Sequence, residues 1–66
     1  MSERDYWLNN LQTWRQKLPE AEARLRKYRA LYESGEDGYK SLVRSTEDEI
    51  AEIKHQISLC VELSDR

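Results

Sequence analysis

Apolar side chains recur along this chain at alternating intervals of four and three residues, once in the first half and again in the second. This alternation is the a/d heptad repeat of helices that pack against each other along one stripe. The pattern predicts helices over about residues 3–33 and about residues 39–63. The sixteen positions, which we call the seam, are Trp7, Leu11, Trp14, Leu18, Ala21, Leu25, Tyr28, Tyr32, Tyr39, Val43, Thr46, Ile50, Ile53, Ile57, Cys60 and Ser64.

Residues 34–38, Ser-Gly-Glu-Asp-Gly, separate the two predicted helices and form the one concentrated turn signal in the sequence. A loop this short makes the helices antiparallel neighbours, and Gly35 can end the first helix in a left-handed conformation. Ser2 and Asp5 have the spacing of a capping box at its start. The predicted fold is therefore all-α, an antiparallel helical hairpin that forms a single domain over residues 1–66.

Pairing the seam about the loop brings residues of the two helices into layers, in which Leu18 faces Ile53 and Ala21 faces Ile50. Large and small side chains alternate in places, as interdigitated packing requires. The residues predicted to form the core of this seam are Trp14, Leu18, Leu25, Tyr28, Ile50, Ile53 and Ile57.

Two features leave the helix boundaries open. Pro19 lies inside the first predicted helix, where it removes a hydrogen bond and clashes with a carbonyl at a cost of about 3 kcal/mol. The helix is therefore either kinked or broken there, with proline at the first position of a new helix. Thr46 to Glu49 is a capping box. If it starts the second helix, residues 39–44 are extended and a short β-ribbon occupies residues 36–44.

Composition limits the chemistry that the chain can perform. A scaffold of 66 residues buries only about 60% of its unfolded surface and usually needs a disulfide, a metal or a partner chain. The single cysteine, Cys60, excludes an internal disulfide, and the single histidine, His55, leaves too few ligands for structural zinc. These two residues do not share a helix face. We therefore expect no catalytic, cofactor-binding or metal site and no enzymatic activity.

The net charge of −2 is divided unevenly between the two halves. Residues 1–33 contain seven Lys or Arg and five Asp or Glu, whereas residues 34–66 contain four and eight. Such halves can attract each other or a second copy of the chain. The densest basic cluster, at residues 24–29, suggests nucleic-acid binding, which the acidic net charge and the absence of a recognition motif disfavour.

Apolar side chains that the seam does not account for gather at the end of the hairpin opposite the loop. Contiguous exposed apolar patches mark interfaces, and Trp and Tyr often anchor them. The predicted interface consists of Tyr6, Trp7, Leu8, Leu11, Leu59, Val61 and Leu63. A smaller group, Leu31 and Leu42, lies off the seam at the loop end. In the alternative, a first helix broken at Pro19 folds back over these residues as a three-helix unit.

Two families have a similar layout. The two heptad-patterned helices, with a loop near Gly35 followed by Tyr39, resemble the small helical-hairpin subunits of needle-protein chaperones in type III secretion systems. Ser34-Gly35 followed by residues 46–57 (TEDEIAEIKHQI) is similar to short phage proteins of the head–tail joining type, which have a helix, a short β-ribbon and a Thr-capped helix. Both resemblances imply a non-catalytic protein that binds other proteins.

The sequence thus predicts a small helical adaptor or structural subunit, without a cofactor, that assembles through its helix faces with itself or with another protein. One alternative is a chaperone or inhibitor that masks a helix or surface of a partner, and another is a nucleic-acid-binding helical protein. No apolar run approaches the roughly 20 residues of a membrane span. We expect a cytoplasmic protein, or one that resides within a virion or a secretion assembly.

Overall fold

The computed structural model describes residues 3–65, which form two long helices joined by a short connection. Helix α1 spans Glu3–Glu33 and helix α2 spans Lys40–Ser64, with a 3₁₀ turn at Asp37–Tyr39 between them. The two helices pack against each other, and the described residues contain no strand. The all-α fold and the helical hairpin are therefore confirmed. The capping box predicted at Ser2 lies outside the described residues.

Helix α1 ends in a turn that only glycine accommodates easily. Gly35 has a φ of +106°, a left-handed conformation in which an L side chain is strained. Its N–H donates to the carbonyl of Tyr32 at 3.1 Å, and the N–H of Glu36 donates to the carbonyl of Leu31 at 3.3 Å. These are the two hydrogen bonds of a Schellman motif, which satisfies the last carbonyls of the helix and reverses the chain.

Helix α1 continues without interruption through Pro19. The alternative of a broken helix is therefore wrong, and so is the three-helix unit that depends on it, whereas the kink stays a prediction. Leu18 and Ala21, on either side of the proline, both belong to the core that packs against α2. We infer that this packing offsets the cost of about 3 kcal/mol that an internal proline carries.

The second boundary that the sequence left open concerns Thr46 and the segment before it. Helix α2 begins at Lys40, so residues 40–44 are helical and the β-ribbon predicted as an alternative around residues 36–44 is not formed. Thr46 is 4% exposed, and its hydroxyl donates to the carbonyl of Leu42 at 2.7 Å. A threonine hydroxyl can bond back to the preceding turn as well as cap a helix, and here this bond satisfies a buried polar group.

The core of the hairpin is thin. Ala21, Ile50 and Ile53 form its buried centre, and half-buried side chains of both helices pack around them. Among the described residues, the buried ones all belong to the seam: Leu11, Ala21, Thr46, Ile50, Ile53, Cys60 and Ser64. Burial therefore follows the predicted stripe, while the knobs-into-holes geometry of heptad packing stays a prediction.

The hairpin is a rod with extents of 51 × 14 × 13 Å and a radius of gyration of 15.3 Å, against roughly 11 Å for a compact domain of this length. It exposes 5126 Å², whereas a compact monomer of 7.9 kDa exposes roughly 4,400 Å². The excess of roughly 700 Å² arises because each helix covers only one side of the other.

Candidate protein-interaction surfaces

The end of the hairpin away from the loop, which we call the open end, carries most of the predicted interface. Tyr6, Leu8 and Val61 are exposed there, at 56%, 41% and 37% of their full accessibility. The half-buried members of the set are Trp7, Leu59 and Leu63. Large apolar side chains thus remain in contact with solvent at this end.

Leu11 is placed differently from the other residues of the predicted interface. It is only 7% exposed, because it occupies a seam position that α2 covers. Most of its side chain therefore belongs to the core of the hairpin, and its small exposed part lines a surface groove together with Leu8 and Pro19.

The aromatic pair at the start of α1 is arranged edge to face. The ring centroids of Tyr6 and Trp7 are 5.0 Å apart, and the ring planes are inclined at 78°. This geometry aligns the positive edge of one ring with the negative face of the other. The pair presents a continuous aromatic surface at the open end.

The predicted core residues show two degrees of burial. The buried members are Ile50 and Ile53, and the half-buried members are Trp14, Leu18, Leu25, Tyr28 and Ile57. The ammonium group of Lys17 lies 4.7 Å from the ring centroid of Trp14, a cation–π contact. Near the loop, the ring centroids of Tyr28 and Tyr39 are 6.0 Å apart. The outer layers of the core thus retain apolar surface at the flanks of the hairpin.

Among residues 3–65, two ion pairs join α1 to α2. Arg24 reaches Glu49 at 3.0 Å, and Arg29 reaches Glu47 at 3.0 Å. With 3.6 residues per turn, the side chains of Arg24 and Arg29 project from α1 on opposite sides of the seam residue Leu25. The pairs therefore lie on opposite flanks of the hairpin. All four side chains are about half exposed, so each pair contributes at most about 1 kcal/mol to stability.

These ion pairs also bear on the basic cluster at residues 24–29. Arg24 and Arg29, two of its four basic side chains, already face carboxylates of α2. A nucleic acid would have to compete with those carboxylates for the same guanidinium groups. The geometry gives the nucleic-acid hypothesis no additional support.

The side of the hairpin that carries Arg29 and Glu47, which we call the grooved flank, has three shallow grooves that the heptad pattern did not predict. The loop-end groove, of about 480 Å³, is lined by Tyr32, Lys40, Val43, Arg44, Glu47 and Asp48. The middle groove, of about 300 Å³, includes Leu25, Ile50, Ala51 and Lys54. The open-end groove, of about 610 Å³, includes Leu8, Gln12, Arg15 and Pro19.

These grooves lie along one side of the molecule. Glu47 lines both the loop-end and the middle groove, so the two adjoin each other. Leu8 and Arg15 precede Arg29 by three and two heptads, so they lie on the same side of α1. The small residue Ala51, next to Ile50, is the one sequence signal that could have indicated a depression there.

The two residues considered for chemistry are not brought together. His55 is exposed on α2, whereas Cys60 is 1% exposed between the helices. Over the described range, no three His, Cys, Asp or Glu side chains gather in a way that could hold a metal ion. Neither described helix combines the length and the apolar character needed to cross a membrane.

Comparisons with models of protein families, with curated proteins and with solved structures found no match to this chain.

Proposed function

We propose that this chain is a non-catalytic adaptor or structural subunit that works by burying helix faces against another protein chain, alike or different. The observation that carries the proposal is the surface of the rod, which exceeds that of a compact chain of its mass by roughly 700 Å². Exposed Tyr6, Leu8 and Val61 contribute apolar area to that surface. Heptad packing of α1 on α2 is part of this proposal.

The thin core supports the same proposal. Among the described residues, only five apolar side chains are buried: Leu11, Ala21, Ile50, Ile53 and Cys60. Small scaffolds with so little core usually gain stability from another chain, a metal or disulfides, and the single cysteine cannot form a disulfide within the chain. A protein partner that covers the half-buried seam residues would complete the packing.

The kind of assembly stays a hypothesis. A chaperone or inhibitor that covers a partner's helix would use the same faces as a structural subunit. The resemblances to needle-chaperone subunits and to head–tail joining proteins suggest a place in a secretion assembly or a virion, and the alternative is a free cytoplasmic adaptor. The β-ribbon implied by the second resemblance is absent from the described residues.

Sedimentation of labelled protein tests this proposal. The chain, labelled at its N-terminus, would be sedimented alone and in an extract of its source cells, together with a Tyr6→Glu/Leu8→Glu variant. Both replaced side chains are exposed, so the variant should keep its helical circular dichroism. We expect the wild type to sediment faster than a 7.9 kDa monomer in at least one of the two conditions, and the variant to lose that association.

The matched control is Ala23→Glu/Ala30→Glu, which adds the same charge at exposed positions on the outward side of α1. It should associate as the wild type does. A wild type that sediments as a monomer in both conditions would contradict the proposal. So would a Tyr6→Glu/Leu8→Glu variant that associates as strongly as the control.

A further inference from the structure

We propose that a second copy of this chain packs side by side on the flank opposite the grooves, in the same direction, so that the two loops lie at one end. Helix α1 of each copy then lies beside α2 of the other, across a two-fold axis that runs along the rod. The inference rests on the proposed function and adds the identity of the partner, the flank that it covers and its direction.

The flank that this copy covers carries the Arg24–Glu49 pair and apolar side chains towards both ends, and we call it the leucine flank. Heptad steps keep to one side of a helix. One step from each member of the ion pair towards the loop leads to Leu31 and Leu42, and two steps from Glu49 towards the open end lead to Leu63. Leu42 is 42% exposed, and Leu31 and Leu63 are half-buried. A partner on this flank therefore buries apolar surface near both ends.

The middle of the leucine flank carries opposite charges on its two helices. The charged residues there are Lys17, Glu20, Arg24 and Lys27 on α1, and Glu49 and Glu52 on α2. They share this side of the hairpin because they lie at the ion pair or at steps of three, four or seven residues from it. The net charge is therefore +2 on α1 and −2 on α2. Such a surface is complementary to a second copy of itself when each helix meets the unlike helix of the partner.

The same charges distinguish the two possible directions of the second copy. A two-fold axis along the rod keeps every residue at its own level and places α1 beside α2 of the partner. Because Arg24 and Glu49 face each other at one level, 3.0 Å apart, the two ion pairs then form a ring in which each charge lies between two opposite ones. A two-fold axis across the rod reverses the direction and stacks α1 on α1 and α2 on α2. That arrangement brings net charges of like sign together on both helices, which is unfavourable.

The grooved flank has no such division of charge. The charged residues that line its grooves are Arg15 and Arg29 on α1, and Lys40, Arg44, Glu47, Asp48 and Lys54 on α2. Basic residues outnumber acidic ones on both helices there, so a second copy on that flank meets like net charge in either direction. The leucine flank is therefore the side on which charge favours a second copy.

The surface that the rod leaves exposed is also of the right size. Its excess of roughly 700 Å² over a compact monomer approaches the roughly 800 Å² per partner that a standard interface buries. Two hairpins joined along the leucine flank form a four-helix bundle, in which each helix packs against two others. A second copy thus supplies enough surface to complete the packing.

Charge exchange between copies tests the flank and the direction together. Two double variants each reverse the net charge of one helix at exposed positions of the leucine flank, namely Thr13→Glu/Lys27→Glu on α1 and Ser45→Lys/Glu52→Lys on α2. Purified wild type, each variant and an equimolar mixture of the two would be studied by light scattering over a dilution series. Low ionic strength keeps the screening of surface charges small, and circular dichroism checks that every variant remains helical.

The matched control is Gln12→Glu/Arg26→Glu. It makes the same charge change as the α1 variant at exposed positions one residue away, on the grooved flank of α1. Any effect of net charge alone, or of altered helix stability, should appear in this control as well.

We expect the wild type to approach twice its 7.9 kDa mass as the concentration rises. Each double variant alone places like net charges along both contacts between α1 and α2 of the partner, and should need roughly tenfold more protein or more to associate. In the mixture, a copy of one variant pairs with a copy of the other, so both contacts join opposite net charges and association should return to about the wild-type level. The control should associate as the wild type does.

Several results would overturn the inference. A wild-type mass of 7.9 kDa at every concentration excludes the second copy, while the proposed function survives if the chain sediments as a complex in cell extract. A control that is weakened as much as the α1 variant excludes the leucine flank, and so does a mixture that fails to restore association. Variants that associate as well as the wild type, with a mixture that associates more tightly, would show that like helices are paired in the reversed direction.

Discussion

Replacing Ile53 with alanine should lower the free energy of unfolding by about 3 kcal/mol. Ile53 is 3% exposed and packs with Ala21 and Ile50 at the centre of the hairpin. The substitution removes three carbons, worth about 0.8 kcal/mol each in transfer free energy, and the cavity left behind adds to that loss. The higher helix propensity of alanine returns less than about 0.7 kcal/mol.

This loss is large for so small a chain. At about 0.05–0.15 kcal/mol per residue, 66 residues have a total stability of about 3–10 kcal/mol. The substitution therefore removes between a third and nearly all of it. Urea unfolding followed by circular dichroism measures the change, at one fixed chain concentration because association adds stability.

Leu42→Ala is the matched control, since Leu42 lies on the same helix and is 42% exposed. In the monomer it should lose only about 1 kcal/mol, because 42% of its surface is already accessible to water and its truncation leaves no enclosed cavity. Equal losses for Ile53→Ala and Leu42→Ala would refute the assignment of Ile53 to the side of α2 that packs on α1.

Two further substitutions probe the backbone. Pro19→Ala restores a backbone N–H inside α1, so it should raise the free energy of unfolding by up to about 3 kcal/mol and the melting temperature with it. A lower melting temperature would show that the hairpin requires the proline. Gly35→Ala should destabilise by roughly 1–2 kcal/mol, because the φ of +106° is unfavourable for an L side chain. Gly38→Ala is its control, since Gly38 has neither a positive φ nor an obstructing neighbour. Equal effects of the two glycine substitutions on the melting temperature would contradict the Schellman turn.

The sequence pattern predicted the elements of this fold because two strong local signals agree. The apolar period specifies which stripe of each helix is buried, and Ala21 and Cys60, at 0% and 1% exposure, lie on it. Gly35, where only glycine is free to adopt a left-handed conformation, specifies where the first helix stops. Helix, turn and helix then follow from residues that lie close together along the chain.

The sequence left alternatives open where tertiary contacts decide between local structures. A capping motif at Thr46 and a proline at position 19 are each compatible with a helix end or a helix interior. Packing on both sides of Pro19, and a buried hydroxyl that bonds to Leu42, favour the interior in both cases.

The exposed apolar surface and the grooves were predictable only in part. Local composition correctly indicated that Tyr6 and Leu8 are large apolar groups left outside the seam, and both are exposed. It did not indicate the grooves along the grooved flank, because these depend on how side chains of two helices meet. Ala51 and Lys54 line a groove together with Leu25 of α1, a juxtaposition that no spacing within one helix reveals.

The central claim, that the hairpin completes its packing against another protein chain, is tested most directly by sedimentation of the labelled chain, alone over a dilution series and in an extract of its source cells. The account predicts a species heavier than 7.9 kDa in at least one of the two conditions. Sedimentation as a 7.9 kDa monomer in both conditions would contradict it.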